Sequence, residues 1–378
     1  MKDNTDRQDA ICRIFRTRRR KALKLAGCQA SCNTILISNP FDVEYLTGFN
    51  GGDSYLLIGQ DVVTLVTDSR YTEQAGSQCG PDVQIFTRKS PMSKAVALAL
   101  KGSGTRRLGI QSLHATVALA ESLQELLGKK AVIPLKPFIY QLRMIKDDAE
   151  LVLMRKAYRI AVESFCELVG RGASYWLGRT ELQIAAELDY LMVSAGATKP
   201  AFDTIVAAGE AASMPHHATS ARKIRPGQGI LLDFGARYRG YCSDLTRVVF
   251  VGKIPPRISR FYETVYAAQQ AAIDAIRPGV KACRVDAVAR GIIADAGYGE
   301  NFLHSLGHGL GLEVHEMPTL SALSSAVLRK GMVVTVEPAI YLPRVGGVRI
   351  EDDVEITASG ARLLGAAGRK NMDDMILQ

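Results

Sequence analysis

No stretch of this 378-residue sequence runs apolar for the roughly 18 residues that a membrane-spanning helix needs. The opening MKDNTDRQDA is too charged to serve as the apolar region of a secretory leader, so a cytoplasmic location is the expectation. The seven cysteines are odd in number and scattered, with no CxxC pair, which argues for reduced thiols rather than a disulfide framework. The net charge of +9 raises the question of nucleic acid, but much of the excess lies in one run: Arg13, Arg16, Arg18, Arg19, Arg20, Lys21 and Lys24. Ile11, Ile14, Phe15, Leu23 and Leu25 interleave with it as on a solvated helix face. Aromatic stacking partners and a reading module are both missing, and no nucleic-acid partner is expected.

Apolar residues at 47% and charged residues at 22% are ordinary for a globular chain with a sizeable interior. The length exceeds one ordinary core and predicts two domains. After the basic helix, TILISNPFDVEYLTGF, YLLIG, DVVTLVTDSRY and VQIFTR read as strands, and MSKAVALALKGSG and ATVALAESLQELLGK as helices, which together predict an α/β domain. VIPLKPFIYQLR, with two prolines, reads as a connector ending near Tyr140, dividing the chain into 1–139 and 140–378.

The second region opens with helical spacing in KDDAELVLMRKAYRIAVESFCELV and contains a weak internal repeat. In one copy a helix lies between Gly178 and Gly196; in the other, a helix lies between Gly279 and Gly297, at the same 18-residue separation. Each copy then enters strand-like sequence carrying histidine. Such a repeat predicts two pseudo-symmetric halves around a shared cleft.

The chemistry concentrates in this region. GILLDFGARYRGYCSDLTRVVFVG holds Asp233 and Asp244 eleven residues apart, on strands joined by a turn at Arg239-Gly240. A two-residue turn gives an odd pairing sum, which puts both aspartates on one face of the hairpin. The chain has only six histidines, yet His304, His308 and His315 crowd into NFLHSLGHGLGLEVHEMP. Glu337 and Glu351 interrupt valine and isoleucine runs that otherwise read as buried strands. Singly, each has an ordinary structural reading: a turn aspartate, a packed histidine, a solvated edge glutamate. Together they are four carboxylates and an imidazole in one domain. Like charges about 4 Å apart repel by roughly 4 kcal/mol at an effective dielectric near 20, so convergence of the set requires cations. The oxygen-rich donors favour manganese, cobalt or iron over a closed tetrahedral zinc site.

The order Asp233, Asp244, His308, Glu337, Glu351 resembles that of the pita-bread metallopeptidases of family M24, which include methionine aminopeptidase, aminopeptidase P and prolidase. SNPFDVEYLTGFNG and VTDSRY resemble the creatinase-like domain that precedes the catalytic domain in aminopeptidase P and prolidase. The fold implied is α+β, a creatinase-like α/β domain followed by a pseudo-symmetric pita-bread domain. The activity implied is hydrolysis of an Xaa-Pro bond at a peptide N-terminus, with two divalent ions as cofactors, manganese foremost and cobalt, iron or zinc as alternatives.

By resemblance, Asp233 binds one ion, His308 and Glu337 the other, and Asp244 and Glu351 bridge both. His216 and His315 would contact substrate and scissile carbonyl, His304 the proline side, and Arg349 the surroundings of the bridging ligands. Glu337 would also carry the water proton to the leaving nitrogen. A small residue commonly follows the first of these histidines in the family; here it is His217. A homodimer is implied too. The rival readings are a creatinase-like or other amide hydrolase on the same fold, and a pita-bread binding protein without catalysis; an intact ligand set speaks against the metal-free and inactive types.

Overall fold

The computed structural model describes residues 2–60, 62–366, 368 and 370–377. The chain falls into two compact units, Met1–Arg143 and Met144–Gln378.

The first unit begins with α1 (Lys2–Gln29) and continues β1 (Thr34–Ile37), α2 (Pro40–Thr47), β2 (Tyr55–Gly59), β3 (Val63–Thr67), α3 (Thr72–Gln78) and β4 (Gln84–Thr87). There follow α4 (Met92–Ala99), β5 (Leu108–Gln111), α5 (Val117–Leu127), β6 (Val132–Leu135) and α6 (Tyr140–Arg143). The strands form one mixed sheet in the order β4-β3-β2-β1-β5-β6. Leu36, Leu57, Val66, Leu108, Ile110 and Val132 pack there against Ala95, Val96 and Leu123 of α4 and α5.

Three expectations change here. TILISNPFDVEYLTGF, read as short strands broken by Asn, Pro and Gly, is strand only over Thr34–Ile37. After Ile37 the Asn39 side chain caps a helix by accepting the Phe41 N–H, Pro40 occupies the first turn, and Gly48 closes it with φ 80°. Helix punctuation therefore overrides the β-branched content. The expected connector is partly a strand, because Val132–Leu135 pairs in parallel with β5 along the edge of the sheet. The basic run is only partly a solvated face: Arg13, Arg16, Arg20, Lys21 and Lys24 are exposed, whereas Arg18 and Arg19 are buried. Those two donate to the carbonyls of Tyr45 (3.0 Å) and Leu46 (2.7 Å) in the last turn of α2. Carbonyls in the last turn of a helix are those left over by the helical ladder, and the guanidiniums serve here as a C-terminal cap.

The second unit contains α7 (Asp148–Gly170), α8 (Ala173–Trp176), α9 (Glu181–Ser194), β7 (Lys199–Pro200), β8 (Ile205–Ala208), β9 (Gly229–Phe234), β10 (Ala236–Tyr238), β11 (Tyr241–Cys242) and β12 (Leu245–Val251). Next come α10 (Pro256–Ala275), α11 (Ala282–Asp295), β13 (Gly307–Gly309), β14 (Glu316–Leu320), β15 (Val333–Val336), β16 (Ala339–Leu342), β17 (Gly346–Arg349), β18 (Asp352–Ile356), β19 (Ala361–Leu363) and β20 (Ile376–Leu377). Two larger sheets run β20-β12-β9-β8 and β14-β13-β15-β18-β19.

The internal repeat is visible at the level of single hydrogen bonds. α9 and α11 are both 14 residues long and follow long helices, α7 and α10. Gly178, Gly196, Gly279 and Gly297 all have φ between 77° and 105°, a left-handed region that glycine adopts without penalty. In the first copy Gly178 N–H reaches Ile224 O, Glu181 N–H reaches Arg222 O, and Ile224 N–H returns to Arg179 O. In the second, Gly279 N–H reaches Leu328 O, Ala282 N–H reaches Ala326 O, and Leu328 N–H returns to Val280 O. The same backbone lattice is thus built twice from different side chains, and the domain is pseudo-symmetric.

Candidate metal centre

The hairpin that carries the aspartates closes as its spacing predicts. Tyr238 pairs with Tyr241 around Arg239-Gly240, whose φ values of 46° and 88° suit a two-residue turn that needs positive φ at both positions. In β9 and β12, Asp233 lies opposite Thr246. Asp244 is two residues before Thr246, so the side-chain alternation of a strand puts Asp233, Thr246 and Asp244 on one face. Asp244 itself sits just outside the regular strand, where its N–H donates to Asp353 Oδ2 at 3.1 Å.

The other members come from a strand and two strand junctions of the second half. His308 is the middle residue of β13, Glu337 lies between β15 and β16, and Glu351 between β17 and β18. Glu351 is drawn against β12 by a bridge to Thr246, its N–H donating to Thr246 O at 3.1 Å. The glycines beside His308 allow the close approach of its neighbours, since a Cβ at Gly307 would meet Thr335 O at 2.0 Å and one at Gly309 would meet Met317 O at 2.2 Å.

These elements bring together all five residues read from the sequence as ligands. One ligand atom each of Asp244, His308 and Glu351 lie within 4.8 Å of one another. His308 Nε2 is 3.6 Å from Asp244 Oδ2 and 3.4 Å from Glu337 Oε1. Its other nitrogen, Nδ1, lies 3.0 Å from Gly309 O and donates there, which leaves a lone pair on Nε2. Burial holds the His308 imidazole neutral, with its pKa lowered to about 4.

Each carboxylate of the set is held above its ordinary range. Burial is the chief cause for Asp233, only partly offset by Arg349. Burial raises Asp244 and Glu351 well above, helped by neighbouring carboxylates, and lifts Glu337 to about 8.

A neutral imidazole pointing its lone pair at two carboxylate oxygens is repulsive unless a cation or a carboxyl proton lies between them. Asp233 Oδ1 is buried with no hydrogen-bond partner. The donor set is therefore chemically matched to divalent cations with oxygen and imidazole preference.

The surroundings hold the donors in place. Arg349 donates to Asp233 Oδ2, to Tyr341 Oη at 2.6 Å and to Thr246 Oγ1 at 2.9 Å. Thr246 in turn donates to Glu351 Oε2 at 2.6 Å. Thr335 accepts the His308 N–H and donates to Glu337 Oε1, both at 3.1 Å. Tyr341 Oη lies 3.1 Å from His304 Nε2, while His304 Nδ1 lies 2.8 Å from Ser305 O. One tautomer serves both contacts: Nδ1 donates to the carbonyl and Nε2 accepts from the phenol. The His304 pKa is lowered to about 4, chiefly by burial.

His315 is exposed, its ring 4.3 Å from that of His308 between centroids. His216 is exposed and close enough for its charge to act on Asp233 and His304, whereas His217 turns to Glu181, with Nε2 2.9 Å from Oε2.

Thr246, Thr335 and Tyr341 escaped sequence reasoning. Only Thr246 left a signal, as the residue opposite Asp233 in the hairpin register.

Residues 152–358 match the model of metallopeptidase family M24, and residues 18–145 match the creatinase/prolidase N-terminal domain. An Xaa-Pro dipeptidase of Pyrococcus horikoshii is 37% identical over 343 residues, covering 90% of this chain and 94% of that protein. The solved structure of an Xaa-Pro dipeptidase from Bacillus anthracis superposes with a TM-score of 0.89 at 35% identity, covering 97% of this chain and all of the other. An X-Pro aminopeptidase from Thermotoga maritima gives 0.82 at 34% identity, covering 90% and 97%. With both domains matched and full-length relatives above 30% identity, this chain belongs to metallopeptidase family M24, a hydrolase with a creatinase-type N-terminal domain and a pita-bread catalytic domain.

Proposed function

We propose that the chain hydrolyses the Xaa-Pro bond at peptide N-termini with two divalent metal ions, as an Xaa-Pro dipeptidase or aminopeptidase, residues 140–378 carrying the chemistry. The observation that carries this reading is the meeting of Asp244, His308, Glu337 and Glu351, with the His308 lone pair directed at two carboxylates and Asp233 near enough for its charge to act on the other three carboxylates. The relatives' names supply the substrate class. Asp233 would hold one ion, His308 and Glu337 the other, with Asp244 and Glu351 shared. Manganese suits the oxygen-rich donors, with cobalt, iron and zinc behind it. A homodimer, as the family resemblance implies, and a cytoplasmic location belong to the same reading.

When bound, such ions lower the pKa of water from about 15.7 toward about 7 and polarise a carbonyl. The residues do the rest. Glu337 takes the proton of the attacking water on its carboxylate and delivers it to the imide nitrogen of proline, a nitrogen that must be protonated to leave. His315 donates to the developing oxyanion. His216 orients the peptide, and His304, held by Tyr341 and Ser305, borders the proline ring. Proline lacks an amide N–H and its ring resists extended binding, so a dedicated pocket is required.

Purified protein should contain divalent metal, cleave Ala-Pro or Ala-Pro-Ala, lose activity on chelation and regain it with Mn²⁺. The ratio of rates on those two peptides separates dipeptidase from aminopeptidase. Asp244→Ala should lower kcat/KM by about 10³-fold or more and reduce bound metal. A variant that keeps both metal and activity would overturn the bridging role.

A further inference from the structure

His217 has no part in the chemistry above, yet it is tied to a fully buried carboxylate. Glu181 projects from the first turn of α9, and its Oε2 lies 2.9 Å from His217 Nε2. The same oxygen accepts the Ser220 N–H at 3.0 Å and the Ser220 hydroxyl at 2.7 Å, while Oε1 accepts the Ala208 N–H at 2.8 Å. Arg222 Nε is 3.9 Å from Oε1. These donors are not scattered. Ala208 ends β8, Ser220 follows the next loop, and His217 lies within it, so one carboxylate fastens both ends and the middle of the segment 209–219. Thr219 adds a parallel tie, donating to Thr204 O and accepting the Val206 N–H.

The scaffold does not need this carboxylate. In the second copy the equivalent residue is Ala282, and the three backbone bonds described above recur around it. What the carboxylate holds in the first copy is the loop that displays His216. His216 and His217 are neighbours on that loop; His217 is nearly enclosed, with a side-chain exposure of 9%, while His216 is exposed beside Asp233 and His304.

We propose that Glu181 and His217 form a clasp that positions His216 for the substrate, so that His217 is a specificity-supporting positioning residue of this chain. The inference rests on the peptidase reading for what His216 touches, but the clasp itself is testable without it. Anchoring the imidazole of His217 fixes the peptide plane between the two histidines and with it the direction of His216. Misplacement of a positioning group by about 1 Å can cost up to about 10²-fold, so release of the loop should be read in substrate binding.

Glu181 sits in the core, so the informative variant is His217→Ala, with His217→Gln restoring a donor. In the Mn²⁺-loaded full chain, His217→Ala should raise KM for Ala-Pro about tenfold while kcat changes by less than about twofold, and His217→Gln should recover most of the loss. In a His216→Ala background the His217→Ala change should add nothing, because it acts only through His216. Independently of activity, amide exchange in 209–220 of the metal-free chain should accelerate in His217→Ala and not in His217→Gln.

Losses that multiply in the double variant, or unchanged exchange in 209–220, overturn the clasp. If the wild-type chain cleaves no Xaa-Pro peptide, the functional reading falls, and the exchange comparison still decides the clasp.

Discussion

The two halves of the catalytic unit share a backbone and divide the chemistry unequally. In the first copy, Thr180 caps α9 in a reciprocal capping box with Gln183, and the next residue, Glu181, gathers a whole loop. In the second, Lys281 stands at the N-cap of α11 and makes no side-chain cap bond, and Ala282 fills the position of Glu181. The first half presents two aspartates from one hairpin; the second presents His308 from within β13 and Glu337 and Glu351 from two strand junctions. Symmetry thus extends to helix spacing and backbone pairing, where packing sets the requirement, and stops at loops and strand ends, where side chains can change without dismantling the sheet.

The comparison breaks most severely if the centre that joins the halves is emptied. Metal that binds only the folded state should stabilise by about 4 kcal/mol at a free concentration 1,000 times Kd, so chelation should lower Tm markedly. The pH dependence follows from sign. Glu337 has its folded pKa raised to about 8 from 4.5, and Asp244 and Glu351 are raised as well, so their contribution is present at low pH and lost as pH rises through the folded values. His304 and His308, lowered to about 4 from 6.5, act oppositely, but only below about 6.5. Between about pH 6.5 and 8 the carboxylates alone remain. The chelated chain should therefore lose Tm across that window, and Mn²⁺ should raise Tm most at its upper end. A flat chelated profile would contradict the carboxylate cluster.

Imposing the first copy's chemistry on the second comes next. Ala282→Glu buries a carboxylate in a site built around a methyl group and should cost about 4 kcal/mol, read as a lower denaturant midpoint at constant m-value. A cost under about 1 kcal/mol would mean that the second half supplies donors of its own.

At the seam, Thr246 of the first half holds Glu351 and Arg349 of the second through a single hydroxyl. Thr246→Val keeps the shape and strands both partners. It should cost about 2 kcal/mol of stability and about 10- to 100-fold in metal affinity by titration calorimetry. The smallest effect is at the helix starts: Thr180→Ala should lose about 1 kcal/mol, whereas Lys281→Thr should gain a few tenths.

Much of the centre was legible in advance because its signals are local. Hairpin parity put Asp233 and Asp244 on one face, glycine spacing marked α9 and α11, and carboxylates interrupting β-branched runs stood out against burial cost. What escaped had competing local signals. Asn39-Pro40 and Gly48 turned a β-rich segment into α2, and Arg18 and Arg19 left the solvated face to cap that helix. Val132–Leu135 became a strand because an open edge of the sheet was there to pair with it.

By itself, the sequence determined the donor types, their order and the repeat, since these depend on neighbours within a few residues. Tertiary structure alone decided that Thr246 bridges Glu351 and Arg349, that Thr335 joins His308 to Glu337, and that His217 turns to Glu181. The physical reason is that each of these bonds satisfies a buried polar group with a partner distant in the chain, and only the packed fold determines which partner lies within reach.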